Sequence, residues 1–290
     1  MGTCRCRPFA SGWRAASGVG MKVVLFCGGM GTRLRDDSQA VPKPMVRIGQ
    51  RPILWHVMKY YAHFGHTEFI LCLGYRSESI KEYFLSYDET VSNDFVFSEG
   101  GRGVRLLNTD IDDWKVTFVD TGVNSTIGER LKAVESHLAD DPVFLANYSD
   151  GLTDLHLPDY LDFFARRSKV ASFLAVKPTQ SFHVASIGEE GSVDAIHPLS
   201  DTNVWINGGF FVFRREIFAH LRPGEDLVDG PFDRLIRADQ LIAFRYAGFW
   251  AAMDTFKDRM ALESRIEMGE APWELWKSGG AAGPTRLAGS

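Results

Sequence analysis

Three glycines fall within four positions in Gly28-Gly29-Met30-Gly31-Thr32-Arg33-Leu34, directly after the apolar run Lys22–Cys27. Glycine lets a backbone turn tightly and brings its N–H groups against an anion. Arg33 adds a planar fork of donors suited to phosphate. Two phosphate motifs are excluded. A dinucleotide fingerprint starting at Gly29 needs Gly or Ala at position 34, where Leu34 stands, and no Gly-Lys-Ser/Thr closes a Walker loop. Ten residues on, Pro42 and Pro44 flank Lys43. Their fixed backbone is expected to prevent helix formation around the lysine and to hold it rigidly, as stabilising a charged phosphate requires. Taken singly, the glycine loop is also only a turn, and Lys43 also reads as an exposed lysine in a proline-rich turn.

The elements that must position these residues follow an α/β pattern. Short apolar runs at Lys22–Cys27 and Glu68–Leu73 read as buried strands, and Lys115–Asp120, Val143–Asn147 and Val170–Val176 as further strands. Helices are predicted from Pro52 to about Phe64, over Ser77–Tyr87 with Ser77 as N-cap, over Ile127–His137 and over Leu157–Arg167. The polar stretch 88–114 reads as an insertion or hairpin. This β-α-β-α order predicts a Rossmann-like doubly wound, mostly parallel sheet, which binds ligands beyond the carboxyl ends of its strands. The loops after Cys27, Asp120 and Asn147 are therefore the places to look. Beyond about residue 178 strands are expected at Val184–Ile187, Asn207–Phe213 and Leu241–Tyr246, with helices near Arg215–Leu221, Gly230–Ala238 and Phe256–Met268. This β-rich C-terminal elaboration is expected to cover the cleft of one domain spanning residues 21–277.

Composition narrows the classes. The 290 residues are 45% hydrophobic and 24% charged, enough apolar material for a sizeable core. A net charge of −5 argues against a nucleic-acid partner bound by bulk positive charge. No run of 18 apolar residues predicts a membrane span. Cys27 and Cys72 lie in buried runs and read as small hydrophobes in a reducing cytoplasm. Eight histidines are scattered without zinc spacing. His56 and His63 on the predicted helix read as core or surface positions, and Trp273 and Trp276 as packing residues. Residues 1–20 carry three Arg and no acidic residue. They are expected to be a disordered tail or a gene-start artefact, with the strand pattern beginning at Met21; 278–290 reads as a flexible tail.

The glycine loop followed by Pro42 through Tyr61 resembles the nucleotidyltransferases that make nucleotide sugars, and within them the glucose-1-phosphate cytidylyltransferases. The likeness continues through Leu73-Gly74-Tyr75, Ile80–Phe84, Val119–Gly122, Ile206–Val212, Gly248–Trp250 and Met253-Asp254-Thr255. It implies transfer of CMP from CTP to a hexose 1-phosphate, with Mg²⁺ as cofactor and a homo-oligomer as the working form. By the same resemblance Gly28, Gly29, Gly31, Thr32 and Arg33 hold the triphosphate, and Lys43 contacts the reacting phosphates. Thr126 and Gly128 lie beside the base, Asp150 and Asp254 hold the metal, and Asn207 and Gly208 face the sugar.

Departures from the family pattern cluster in the sugar half. Relatives commonly carry Glu-Lys-Pro where this chain has Ile196-His197-Pro198, so His197 is the nearest match to a lysine that meets the sugar phosphate. Ser181-Phe182-His183, Ile127-Gly128-Glu129-Arg130 and Tyr148-Ser149-Asp150-Gly151 also differ from the usual stretches. An intact triphosphate loop with altered acceptor loops points to an acceptor other than plain glucose 1-phosphate, or one bound differently. The alternatives are a nucleotidyltransferase using another NTP or sugar phosphate, and a non-catalytic regulatory relative. Retention of Arg33, Lys43, Asp150 and Asp254 counts against the last.

Overall fold

A computed structural model describes residues 20–29, 41–179 and 182–277. The chain enters through β1 (Val23–Phe26), whose alternate residues face opposite hydrophobic clusters: Val23 and Leu25 one, Val24 and Phe26 the other. A strand buried on both faces needs this near-continuous apolar run. After a single 3-10 turn at Lys43–Met45 come the short pair β2 (Arg47–Ile48) and β3 (Arg51–Pro52), then α1 (Ile53–His63), β4 (Glu68–Leu73) and α2 (Ser77–Leu85). The stretch 88–114 contains the hairpin β5 (Phe95–Ser98) and β6 (Gly103–Leu106). The chain continues through β7 (Lys115–Asp120), α3 (Ile127–Ala133), β8 (Val143–Tyr148), β9 (Gly151–Thr153), α4 (Leu157–Ala165) and β10 (Ala171–Val176). A second hairpin, β11 (His183–Ile187) and β12 (Val193–Pro198), precedes β13 (Ile206–Asn207) and β14 (Phe211–Arg214). α5 (Asp233–Arg237), β15 (Leu241–Tyr246), β16 (Trp250–Ala252) and α6 (Phe256–Glu267) complete it.

The main sheet has β1 at its centre, paired in parallel with β4 and β8, and β4 carries β7 in parallel. Beyond β8 the order continues through antiparallel β14 to β10, which pairs with β15 in parallel. The sheet is thus mostly parallel with one reversed track, and the predicted Rossmann-like α/β class stands. A separate two-stranded pair, β9 with β16, brings the residues after β8 beside the start of α6.

Several local expectations need correction. The prolines around Lys43 do not prevent helical structure: Lys43–Met45 forms one 3-10 turn, closed by Val46 N–H donating to the Lys43 carbonyl. Pro44 sits in a first turn, where its missing N–H costs nothing. Ser77 is not the N-cap of α2. Arg76 holds that place in the left-handed region (φ 52°), with no side-chain cap bond. The expected strand 207–213 is broken into β13 and β14, because Gly209 (φ 77°) and Phe210 (φ 48°) turn left-handed between them. The predicted helix 127–137 ends at Ala133 and continues as a 3-10 turn at Glu135–Leu138. Residues 215–220 form 3-10 turns. Gly230 (φ 111°) followed by Pro231 keeps 228–232 irregular and delays α5 to Asp233. Strand β12 was not expected.

The remaining packing matches its sequence reading. Cys27 and Cys72 are buried free thiols, and Trp273 and Trp276 pack on α1 through His56 and Trp55. No helix among the described residues is long and apolar enough to cross a membrane. The expected extension, apart from Gly20, and the tail 278–290 lie outside the described residues.

Candidate active site

A cleft of about 450 Å³ opens at the carboxyl ends of β1 and β8. Its wall takes Gly28 and Gly29 from the loop after β1, Ser125 and Thr126 from the loop after β7, and Tyr148, Ser149 and Asp150 from the end of β8. Lys43, Arg130, Asp226 and Asp254 complete its polar lining. This is where a doubly wound sheet leaves a crevice, since its strands end there and the connections diverge.

The centre of the cleft is a charge cluster. Lys43 Nζ lies 2.6 Å from Asp254 Oδ1 and also contacts Asp150 Oδ2. Burial alone would lower the Lys43 pKa; the two carboxylates outweigh it and raise the pKa above the usual lysine value. Backbone pairing builds this cluster. The β9–β16 register sets Gly151 opposite Ala252, and Met253 N–H donates to the Asp150 carbonyl at 3.0 Å. Asp254 is therefore delivered beside Asp150 although the two are far apart in sequence. Asp258 then holds the turn after β16, accepting from the N–H groups of Asp254 and Thr255 at the capping box that starts α6.

Two carboxylates reached by one cation form a donor set suited to a small divalent ion. Mg²⁺ is commonly held by one or two carboxylates together with water and substrate phosphates. Among the described residues no group of three or more His, Cys, Asp or Glu is placed to hold a metal, so the protein offers part of a coordination shell. Asp254 keeps 47% of its side chain exposed, which leaves the pair reachable from the cleft.

The floor rests on Arg130, which is 1% exposed. Its Nη1 donates to the Leu73 carbonyl (3.1 Å) and Thr121 Oγ1 (2.7 Å), and its Nη2 donates to the carbonyls of Gly28 and Val123. One guanidinium thereby ties together the chain ends leaving β1, β4 and β7. It also explains Gly28: a Cβ there would lie 2.0 Å from Arg130 Nη1. At Gly29 the same direction is open space. Arg130 lines the cleft with no carboxylate in ion-pair distance among the described residues; its hydrogen-bond acceptors are neutral oxygens, and Asp120 and Glu129 act on it only through space. That is a setting favourable to an anion.

The other predicted residues are distributed as follows. Met30, Gly31, Thr32, Arg33 and Leu34 lie outside the described residues. Thr126 lines the cleft and caps α3. Its hydroxyl accepts from Glu129 N–H and donates to the Glu225 carbonyl at 2.7 Å. Gly128 is set back from the wall, under the 225–227 loop, where a Cβ would come 2.5 Å from the Glu225 carbonyl oxygen. Asn207 is one layer behind the wall, bonded to Tyr148 and accepting from Gly209 N–H at 2.9 Å. The Gly208 carbonyl accepts from Trp250 Nε1 at 2.9 Å. His197 is not brought to the cleft: it stands exposed on β12, paired with Val184.

Arg130 and Asp226 are the residues that reading the sequence missed as parts of the site. Arg130 carried a signal. It falls three residues after Ile127 and four before Val134, on the helical face they share with Leu131, and a charge on a core-facing stripe calls for buried acceptors. Asp226 carried none; it reaches the cleft because its carboxylate accepts Ile127 N–H across the α3 N-terminus. Burial first, then Asp226 and Asp150, push the Tyr148 phenol up to about 12, so it is a neutral donor near neutral pH.

The Nucleotidyl transferase family model matches residues 22–230. A glucose-1-phosphate cytidylyltransferase of Salmonella typhi is 39% identical over 267 residues, covering 89% of this chain and all of that protein. Among solved structures, a UDP-glucose pyrophosphorylase complexed with UDP-glucose superposes with a TM-score of 0.61 at 12% identity, covering 87% of this chain and 100% of that one. HddC from Yersinia pseudotuberculosis gives 0.59 at 19%, covering 85% and 99%. These two show the shared fold. With the family model covering most of the chain and a full-length relative at 39% identity, the chain belongs to the nucleotidyl transferase family.

Proposed function

We propose that the protein transfers CMP from CTP to glucose 1-phosphate or a close hexose 1-phosphate, releasing pyrophosphate, with Mg²⁺ at Asp150 and Asp254. The carrying observation is the Lys43–Asp150–Asp254 cluster, set in one cleft with Gly28, Gly29 and Arg130. The full-length likeness to a glucose-1-phosphate cytidylyltransferase supports the choice of substrates.

In this reading a phosphate oxygen of the sugar phosphate attacks the α-phosphorus in line. The bond from that phosphorus to the β-phosphate oxygen breaks, and pyrophosphate carries away the electron pair. The nucleophile is already anionic near neutral pH, so no strong general base is required. The chain's work is orientation and charge neutralisation. Gly28 and Gly29, together with Gly31, Thr32 and Arg33, cradle the triphosphate. Arg130 holds the Gly28 end of that loop in place, and Lys43 meets the reacting phosphates. When bound, the metal supplies Lewis-acid neutralisation of phosphate charge. Thr126 borders the nucleotide from the α3 N-terminus, while Tyr148, braced from behind by Asn207, borders the sugar phosphate.

A second reading, a different sugar 1-phosphate, is favoured by the position of His197 on an exposed hairpin and by Asp226 in the cleft wall. Pyrophosphate release should be measured for each NTP against a panel of sugar 1-phosphates, with and without Mg²⁺. Release with CTP and glucose 1-phosphate alone supports the first reading. Turnover only with another acceptor supports the second, and none with any pair refutes both.

A further inference from the structure

The Lys43 ammonium stands where a metal held by Asp150 and Asp254 would have to stand. It bridges both carboxylates, at 2.6 Å for Asp254 and in direct contact for Asp150. No other acceptor engages this ammonium among the described residues. A hard divalent ion binds oxygen and is repelled by an ammonium, so the two cations cannot share the pair at contact distance. We propose that Lys43 is the internal counter-cation of this site: metal binding at Asp150 and Asp254 displaces its ammonium, which is thereby released into the cleft for phosphate.

The surrounding structure fits an exchange confined to side chains. Pro42 and Pro44 hold the Lys43 backbone, and Pro44 and Met45 are buried, so the turn stays in place while the four-carbon stem swings. Asp150 is anchored by its carbonyl bond to Met253, and Asp254 by its N–H bond to Asp258. The backbone that carries both carboxylates therefore stays in place when the lysine leaves. Asp254 is half-exposed and gives an incoming ion its entry, whereas Lys43 keeps only 18% of its side chain exposed. The space into which the ammonium is released also contains Gly28 and Arg130, the anion-facing end of the cleft. The same ammonium thus keeps the metal-free carboxylates neutralised and becomes available to phosphate when the metal arrives.

The inference rests on the metal role proposed above for the two aspartates, and its test avoids turnover. Nucleotide-free protein is titrated calorimetrically with Mg²⁺. Lys43→Met should bind the ion about tenfold more tightly than the unaltered protein, because the competing cation is gone. Equal or weaker binding overturns the proposal. The unaltered protein supplies an independent measurement that needs no folded variant. Acetylation of Lys43 by acetic anhydride, followed by mass spectrometry and normalised to exposed Lys115, should rise about threefold or more on adding Mg²⁺. Unchanged or reduced labelling overturns it as well. If CTP turnover is observed but neither quantity changes, only the exchange fails. If both change while no NTP is turned over, only the proposed reaction fails.

Discussion

Lys43 and Arg130 are both buried cations of the cleft, and they are held in different ways. Lys43 is neutralised by two carboxylates, whereas Arg130 spends its donors on the oxygens of four residues. The difference sets what each substitution should do. Lys43→Met removes the charge that, in the proposed function, meets the reacting phosphates. Its kcat should fall by on the order of 100-fold, corresponding to about 3 kcal/mol of barrier, measured by pyrophosphate release under saturating substrates. Arg130→Lys keeps the charge but loses the fork that joins β1, β4 and β7. Unfolding in urea should show a loss of about 2–4 kcal/mol, because several buried carbonyls lose their donors. The KM for the nucleotide should rise more than kcat falls, because Gly28, in the loop proposed to cradle the triphosphate, is no longer held.

At the scale of elements, the N-terminus of α3 is the joint between the two halves of the cleft. Thr126 closes a capping box with Glu129 and reaches the Glu225 carbonyl, while Gly128 lets that same carbonyl approach. Thr126→Ala should cost about 1 kcal/mol from the cap, read as a lower denaturation midpoint. Gly128→Ala should cost about 1–3 kcal/mol, because its methyl group would lie 2.5 Å from a backbone oxygen that cannot rotate away. The break between β13 and β14 is a second joint. Phe210 N–H, turned out of the strand ladder, donates to Asn147 Oδ1 at 2.9 Å. The same bulge places Asn207 behind Tyr148 and the Gly208 carbonyl against Trp250. Here the reversed strand supports the Tyr148 side of the cleft.

For the whole molecule, two buried histidines set the acid limit of stability. His56 is held by acceptors and donors that demand the neutral ring. Ile48 offers only a carbonyl oxygen to Nε2, and Trp273 only an indole N–H to Nδ1. Burial pushes its pKa down to about 3, and that of His66, whose Nδ1 accepts Met21 N–H, down to about 4. Both lie below the ordinary histidine value of 6.5, so the unfolded chain binds protons that the folded one refuses. Stability from these groups is complete above about pH 6.5 and is lost as pH falls toward 4 for His66 and 3 for His56. The slope should approach about 1.4 kcal/mol per pH unit for each. Urea midpoints measured from pH 7.5 to 5 check this, and His56→Gln should remove about half the slope. The same two contacts fasten the C-terminal Trp273 and the entering β1 to the body of the sheet, so acid should loosen both ends together.

Periodicity alone determined the α/β class, the succession of strands along the chain and the strand ends at which to look for the site, because burial on both faces leaves an unbroken apolar run. The glycine loop and Asp150 were legible beside strand ends and Lys43 between two prolines, while Asp254 and the roles of all four came from family resemblance. Their assembly was not legible. Asp150 and Asp254 come together through the β9–β16 pairing, and no local pattern records a pairing across so long a separation. Asn207–Phe213 reads as one continuous strand, because the left-handed turn at Gly209 and Phe210 is set by Asn147 from a neighbouring strand. Arg130 showed itself only as a charge on an apolar stripe; which carbonyls it would join depended on where three separate strands end. His197 matched a motif position, yet hairpin pairing with Val184 carries it to an exposed strand. The local period of the chain fixes what an element is, whereas the partners of a buried polar group are decided only when distant elements pack.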